Sequence, residues 1–109
     1  MQHKVLVEVY VPELDVKYDL FIPANKKVGN IILLLVKAIN ELSEGAYPVS
    51  VNHALMNSDT CMIYDLDLNL KDANILNGTK LILIWSRFFQ FYYIITLGDL
   101  YGIKMIKYI

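Results

Sequence analysis

Residues 70–84 read Leu70-Lys71-Asp72-Ala73-Asn74-Ile75-Leu76-Asn77-Gly78-Thr79-Lys80-Leu81-Ile82-Leu83-Ile84. Behind Lys80 the chain runs apolar without a break, the pattern of a short central strand buried on both faces. Asn77-Gly78, just before it, supplies residues that tolerate positive φ, as a tight turn requires. Leu70, Ile75 and Leu81 are placed in the core. Asp72 is expected to cap a short helical turn by accepting backbone N–H bonds. A strand covered on both sides needs neighbours, and the chain upstream supplies them.

Residues 4–11 alternate, with Val5, Val7, Val9 and Val11 on one face and Lys4, Leu6, Glu8 and Tyr10 on the other. That period of two marks a half-buried strand. Pro12-Glu13-Leu14-Asp15 reads as a turn, and residues 17–22 alternate again, with Tyr18, Leu20 and Ile22 together. Pro23 ends this hairpin, and Asn25 is the expected N-cap of a helix over about residues 26–43. Its apolar stripe is Val28, Ile31, Ile32, Leu35, Ile39 and Leu42, widened by Leu33, Leu34 and Val36 beyond what a surface helix needs. Gly45 is the expected left-handed stop. Short strands are expected at 53–56 and 62–64, with a turn at Asn57-Ser58-Asp59 between them. Asp65, Asp67 and Asn69 read as the solvent side of a further alternating stretch. Strand, strand, helix and a return to strands give an α+β layout, with the helix across one face of a mixed sheet. The helix stripe is expected to pack on Val5, Val7, Leu20, Ile22, Leu81 and Leu83.

Asn69-Leu70-Lys71-Asp72-Ala73-Asn74-Ile75 resembles the ubiquitin segment Thr-Leu-Ser-Asp-Tyr-Asn-Ile that precedes its last strand. Residues 70–84 are closer still to a bacterial ubiquitin-like family, the YukD/EsaB-like proteins of type VII secretion loci. Those end in a pattern like Leu-Ser-Asp-x-Gly-Ile-x-Asn-Gly-Asp-x-Leu-x-Ile-Leu. Asn74 departs from it, standing where that family often has glycine. The resemblance covers residues 4–84 and implies a ubiquitin-like β-grasp fold for a domain at 1–84, followed by an extension at 85–109. It also implies a cytoplasmic accessory or regulatory protein, recruited to the inner face of the membrane by cytosolic parts of the secretion machinery. Contact with the membrane itself would be indirect. The alternative is a ubiquitin-like carrier acting through a processed C-terminus.

Composition agrees with a folded binding module. Of the 109 residues, 56% are hydrophobic and 19% charged, with a net charge of −1, the reverse of a disordered chain. The densest basic cluster is Lys26-Lys27, too little for a nucleic-acid binder that must neutralise phosphates. The single cysteine, Cys61, suits a reducing compartment, and the N-terminus lacks a signal-peptide pattern. Carriers of this fold use a C-terminal Gly-Gly, whereas this sequence has no Gly-Gly and closes on Lys107-Tyr108-Ile109. Cys61 and His53 could form a nucleophile–base pair only with an orienting third group and an oxyanion site. Read without them, Cys61 is a small hydrophobe. Two histidines and one cysteine make no zinc site. Asp65-x-Asp67-x-Asn69 resembles a calcium loop but lacks its glycine and distal glutamate. No cofactor, metal or catalytic residue is expected, and the chain reads as no enzyme.

The extension is the exception. Trp85, Phe88, Phe89, Phe91, Tyr92 and Tyr93, followed by Ile94 and Ile95, are the candidate protein-interaction residues. Leu81 to Leu97 gives 17 residues interrupted by Ser86, Arg87 and Gln90, short of the roughly 20 that a membrane span needs. Gly98-Asp99 suggests a hairpin joining residues 88–97 to 100–108. Three readings stand open: a hairpin packed on its own domain, a docking surface for a partner, or a tail outside the evolved domain. Such a cluster of aromatics should not stay in water, and the expected outcome is a symmetric dimer through residues 88–108.

Overall fold

The structure, a computed structural model, describes residues 3–49 and 52–85. Strands β1 (Lys4–Val11) and β2 (Val16–Pro23) form the expected hairpin, pairing from Lys4 opposite Pro23 to Val11 opposite Val16. Helix α1 (Val28–Leu42) follows, then β3 (His53–Asn57) and β4 (Lys80–Trp85). The sheet order is β2-β1-β4-β3. β4 runs parallel to β1 and antiparallel to β3, so the sheet is mixed and β4 is internal. Leu81, Ile82, Leu83 and Ile84 are all buried, which accounts for the unbroken apolar run. α1 packs across one face. Its Val28, Ile31, Ile32, Leu35, Val36 and Ile39 share a core with Val7, Val9, Val11, Ile22, Leu81 and Leu83, edged by Val5, Tyr18 and Leu20. Each such side chain contributes roughly 1.5–3 kcal/mol by leaving water.

Several expectations are corrected. The helix N-cap is Lys27, not Asn25, and no side chain caps it. Instead the Val28 and Gly29 N–H groups donate to the Leu68 and Leu66 carbonyls, at 2.8 and 3.0 Å. The two segments lie close, and a Cβ on residue 29 would just reach van der Waals contact with the Leu66 oxygen, at 3.4 Å. That capping duty explains why residues 65–70 form no alternating strand: their backbone bonds the helix end rather than a sheet neighbour. Of the widened stripe, Val36 is buried, while Leu33, Leu34 and Leu42 are exposed. At the other end, Glu44 (φ 54) precedes Gly45 (φ 86), and both N–H groups return to helix carbonyls, Glu44 to Glu41 and Gly45 to Asn40. The left-handed stop therefore begins one residue before the glycine. The expected strand at 62–64 is reduced to one bridge, Met56 with Ile63. Asn57 Oδ1 accepts from the Asp59 and Thr60 N–H groups, and Cys61 takes φ 59, so the chain turns before a ladder can extend.

Candidate interaction surface

The motif of residues 69–84 positions the sheet centre. Asn69, not Asp72, caps the turn at 70–74: its Oδ1 accepts from the Asp72 N–H at 2.8 Å, while the Asp72 side chain is exposed. The turn ends at Asn74 (φ 58), and the Ile75 N–H returns to the Leu70 carbonyl at 2.9 Å. Asparagine tolerates this left-handed position nearly as well as glycine, so the departure at Asn74 keeps the same backbone. Leu70, Ile75 and Leu81 are buried as expected. Of Asn77-Gly78, only Gly78 takes positive φ, at 87°. Asn77 works through its side chain, whose Oδ1 accepts from the Leu6 N–H at 2.8 Å, while the Gly78 N–H donates to the Leu6 carbonyl. The turn is thereby fastened to β1, and β4 starts in register beside it.

Trp85, the last described residue, sits in a polar-edged cluster at one pole. The Tyr47 ring lies 5.1 Å from the His53 ring and 5.8 Å from the Trp85 ring. Tyr47 is fully buried and held by the end of α1, where Asn40 Nδ2 donates to its carbonyl and Ser43 Oγ accepts from its N–H. The Trp85 N–H donates to Glu13 Oε2 at 2.7 Å. Burial raises the Glu13 carboxyl above its ordinary value, and this bond partly offsets the rise. Burial raises the Tyr47 hydroxyl too, and the neighbouring Glu13 charge adds to it. Tyr47 OH and Glu13 Oε1 stand close, yet no well-aligned hydrogen bond joins them. His53 stacks here on the α1 side, whereas Cys61 packs with Met56, Ile82 and Ile84 in a separate cluster. The two residues weighed as a catalytic pair therefore belong to different clusters. Among the described residues, no group of three or more His, Cys, Asp or Glu side chains could hold a metal ion.

Beside α1 runs an open groove of about 290 Å³, lined by Ile32, Leu33, Val36, Val49, His53 and Leu66 among others. It continues along the helix past Lys37, Asn40 and Glu41. Leu33 (69% exposed), Val49 and Leu66 present apolar side chains to solvent there. The sequence carried one signal of this surface, the excess width of the helix stripe at Leu33 and Leu34. Phe88, Phe89, Phe91, Tyr92 and Tyr93 lie outside the described residues. No described helix is long and apolar enough to cross a membrane.

A mixed four-stranded sheet with one helix across it, entered through an N-terminal hairpin, is the ubiquitin-like β-grasp fold. Neither a family model nor a curated protein matches the sequence. Solved structures do. The ubiquitin-like domain of the Mycobacterium tuberculosis type VII secretion protein ECCD1 superposes with a TM-score of 0.61 and 21% identity, over 75% of this chain and 98% of that one. The EccD5 ubiquitin-like domain from Mycobacterium xenopi gives 0.62 and 19%, over 76% and 94%. A chain of the MycP5-free ESX-5 inner membrane complex gives 0.62 and 19%, over 96% of this chain and 28% of that one. The same shape also occurs in a toluene 4-monooxygenase complex, at a TM-score of 0.61 and 5% identity. Fold alone therefore does not decide function.

Proposed function

We propose that this chain is a non-catalytic, protein-binding module acting as an accessory or regulatory component of a type VII-like secretion system. Its place is the cytoplasmic side of the membrane machinery. The observation that carries this reading is the likeness to the ubiquitin-like domains of two type VII secretion proteins. A chain of the ESX-5 inner membrane complex is similar as well, this chain spanning 28% of its length. The YukD/EsaB-like motif at 70–84 points the same way. The sequence has no Gly-Gly, which the acyl-transfer chemistry of ubiquitin-like carriers uses. The apolar side chains exposed beside α1, Leu33 and Val49, are the described surface on which a protein partner would be recognised.

Cross-linking the full-length chain in its native cells, with partners identified by mass spectrometry, is expected to recover a membrane component of the secretion machinery. Leu33→Glu should weaken that recovery severalfold while leaving the helix content unchanged. Recovery without any machinery component overturns the secretion assignment. A covalent adduct or trimmed terminus in the intact mass favours the carrier reading instead.

A further inference from the structure

The sheet order β2-β1-β4-β3 leaves β2 (Val16–Pro23) on an edge, and among the described residues no strand pairs with its outer side. On β1, the Leu6 and Glu8 N–H groups turn toward Asn77 and Thr79, away from β2. Alternation then points the N–H and C=O groups of Val5, Val7, Val9 and Val11 at β2, where they meet Ile22, Leu20, Tyr18 and Val16. The outward backbone groups of β2 are therefore those of Lys17, Asp19 and Phe21, a row open to another strand. Side chains divide the same way. Tyr18 and Leu20 edge the core under α1, with Val16, 39% exposed, on their face. Lys17, Asp19 and Phe21 stand exposed on the other. There Asp19 lies directly opposite Glu8, and like charges so placed repel. Lys17 bonds Glu8 at 3.6 Å and Lys80 lies opposite Glu8 on β4, yet among the described residues Asp19 has no ion pair.

We propose that Asp19 takes its cation from Lys17 of a second copy of this chain, with the two β2 strands paired antiparallel about a two-fold axis beside Tyr18. Residues that face each other across a sheet share a face, so β2 can slide along its own copy only in steps of two residues. A step to one side of this register sets Lys17 against Lys17, and a step to the other sets Asp19 against Asp19. Between them Lys17 faces Asp19 twice, once on each side of the axis. Both residues carry outward backbone groups, so each such pair also exchanges two backbone hydrogen bonds. On the core side the same register places Tyr18 against Tyr18 and Val16 against Leu20, aromatic and apolar cross-strand pairs. Charges on an edge ordinarily discourage pairing; these two discourage every neighbouring register and favour one. The contact is isologous, so it closes as a dimer and does not propagate. His53, which lines the groove beside α1, lies on β3 at the opposite edge of the sheet, so that groove stays open in the dimer.

Sedimentation of the full-length chain at low ionic strength, where exposed charges are least screened, tests the pairing. Lys17→Asp and Asp19→Lys each turn both attractive pairs into repulsive ones. Each should raise the dimer dissociation constant about tenfold with the helix signal unchanged. The double variant Lys17→Asp/Asp19→Lys restores opposite charges and should return the constant to near its wild-type value. A wild-type chain that is monomeric at its highest soluble concentration overturns the proposal. So do single variants that dimerise as tightly as wild type, since the dimer then forms elsewhere, as it would through the extension. A double variant as weak as the single ones overturns it too. A second measurement reads the register directly. Tyr18→Cys combined with Cys61→Ser leaves one thiol per chain, beside the axis. Tyr18 faces its copy in a non-hydrogen-bonded pair, with Cα atoms about 4.5 Å apart, within disulfide reach. Mild oxidation should link two copies, and a product that keeps the mass of one chain overturns the register.

Discussion

Between Lys4 and Leu42 the chain places its apolar side chains by repetition, at every second residue in β1 and β2 and every third or fourth in α1. Between Ser43 and Thr79 it places them one at a time. There the backbone is turned by the side chains of Asn57, Asp65, Asn69 and Thr79, each accepting an N–H from a residue two or three positions away. Repetition spreads the work over many equivalent residues, and only burial depth decides what each contributes. In the second region single polar atoms carry the geometry, so a change too small to open a cavity still alters the path of the chain. The two regions should therefore fail differently under mutation.

The largest effect belongs to the repetitive region. Leu35 is buried at the centre of the α1 stripe, and Leu35→Ala should cost on the order of 2–5 kcal/mol in chemical denaturation. Its neighbour Leu34 points to solvent, so Leu34→Ala should stay within about 0.5 kcal/mol. Similar losses at both positions would mean that the helix phase does not set stability here.

An intermediate effect is expected at Asn69. Removing its cap of the turn at 70–74 with Asn69→Ala should cost about 1 kcal/mol. Asp72→Ala, at the position where the sequence suggested a cap, should cost less than about 0.5 kcal/mol. The reverse order in urea unfolding would return the capping role to Asp72.

These contrasts also mark what was legible in the sequence. β1, β2, α1 and β4 were readable because a period of 2, a period of about 3.6 and an unbroken apolar run each need only local pattern. From them followed an α+β layout with the helix across the sheet, while the β-grasp fold was implied by the resemblance of residues 69–84 to ubiquitin-like sequences. The stretch at 65–70 misled because Leu66, Leu68 and Leu70 alternate as in a strand. The use of the Leu66 and Leu68 carbonyls is set by the distant N-terminus of α1. Asn69 was hidden for a related reason: asparagine and aspartate both cap turns, and only backbone geometry tells which of them does. The groove beside α1 depends on where Val49 and Leu66 approach the helix. Sequence showed only its helical half, as an apolar stripe one side wider than the core required.

The smallest effect lies where the two regions meet, at Glu13 after β1 and Tyr47 after α1. Burial holds the Glu13 carboxyl above its ordinary value of 4.5, outweighing the bond from the Trp85 N–H. The native state therefore keeps its proton to higher pH than the unfolded chain does. Stability falls as pH rises from 4.5 through the raised value, because the native state binds more protons over that interval. Above the interval the cost of the buried charge is fully present, and below pH 4.5 it vanishes. Glu13→Gln retains an oxygen to accept from Trp85 and carries no charge. It should make the protein more stable than wild type at pH 7, by less than the effect of Asn69→Ala. The gain should shrink toward zero as pH drops below 4.5, in denaturant titrations of both proteins over pH 3–8. A difference that stays constant across that range would show that Glu13 acts through its hydrogen bond to Trp85 and not through its charge. The pole joining the two regions would then be set by geometry alone.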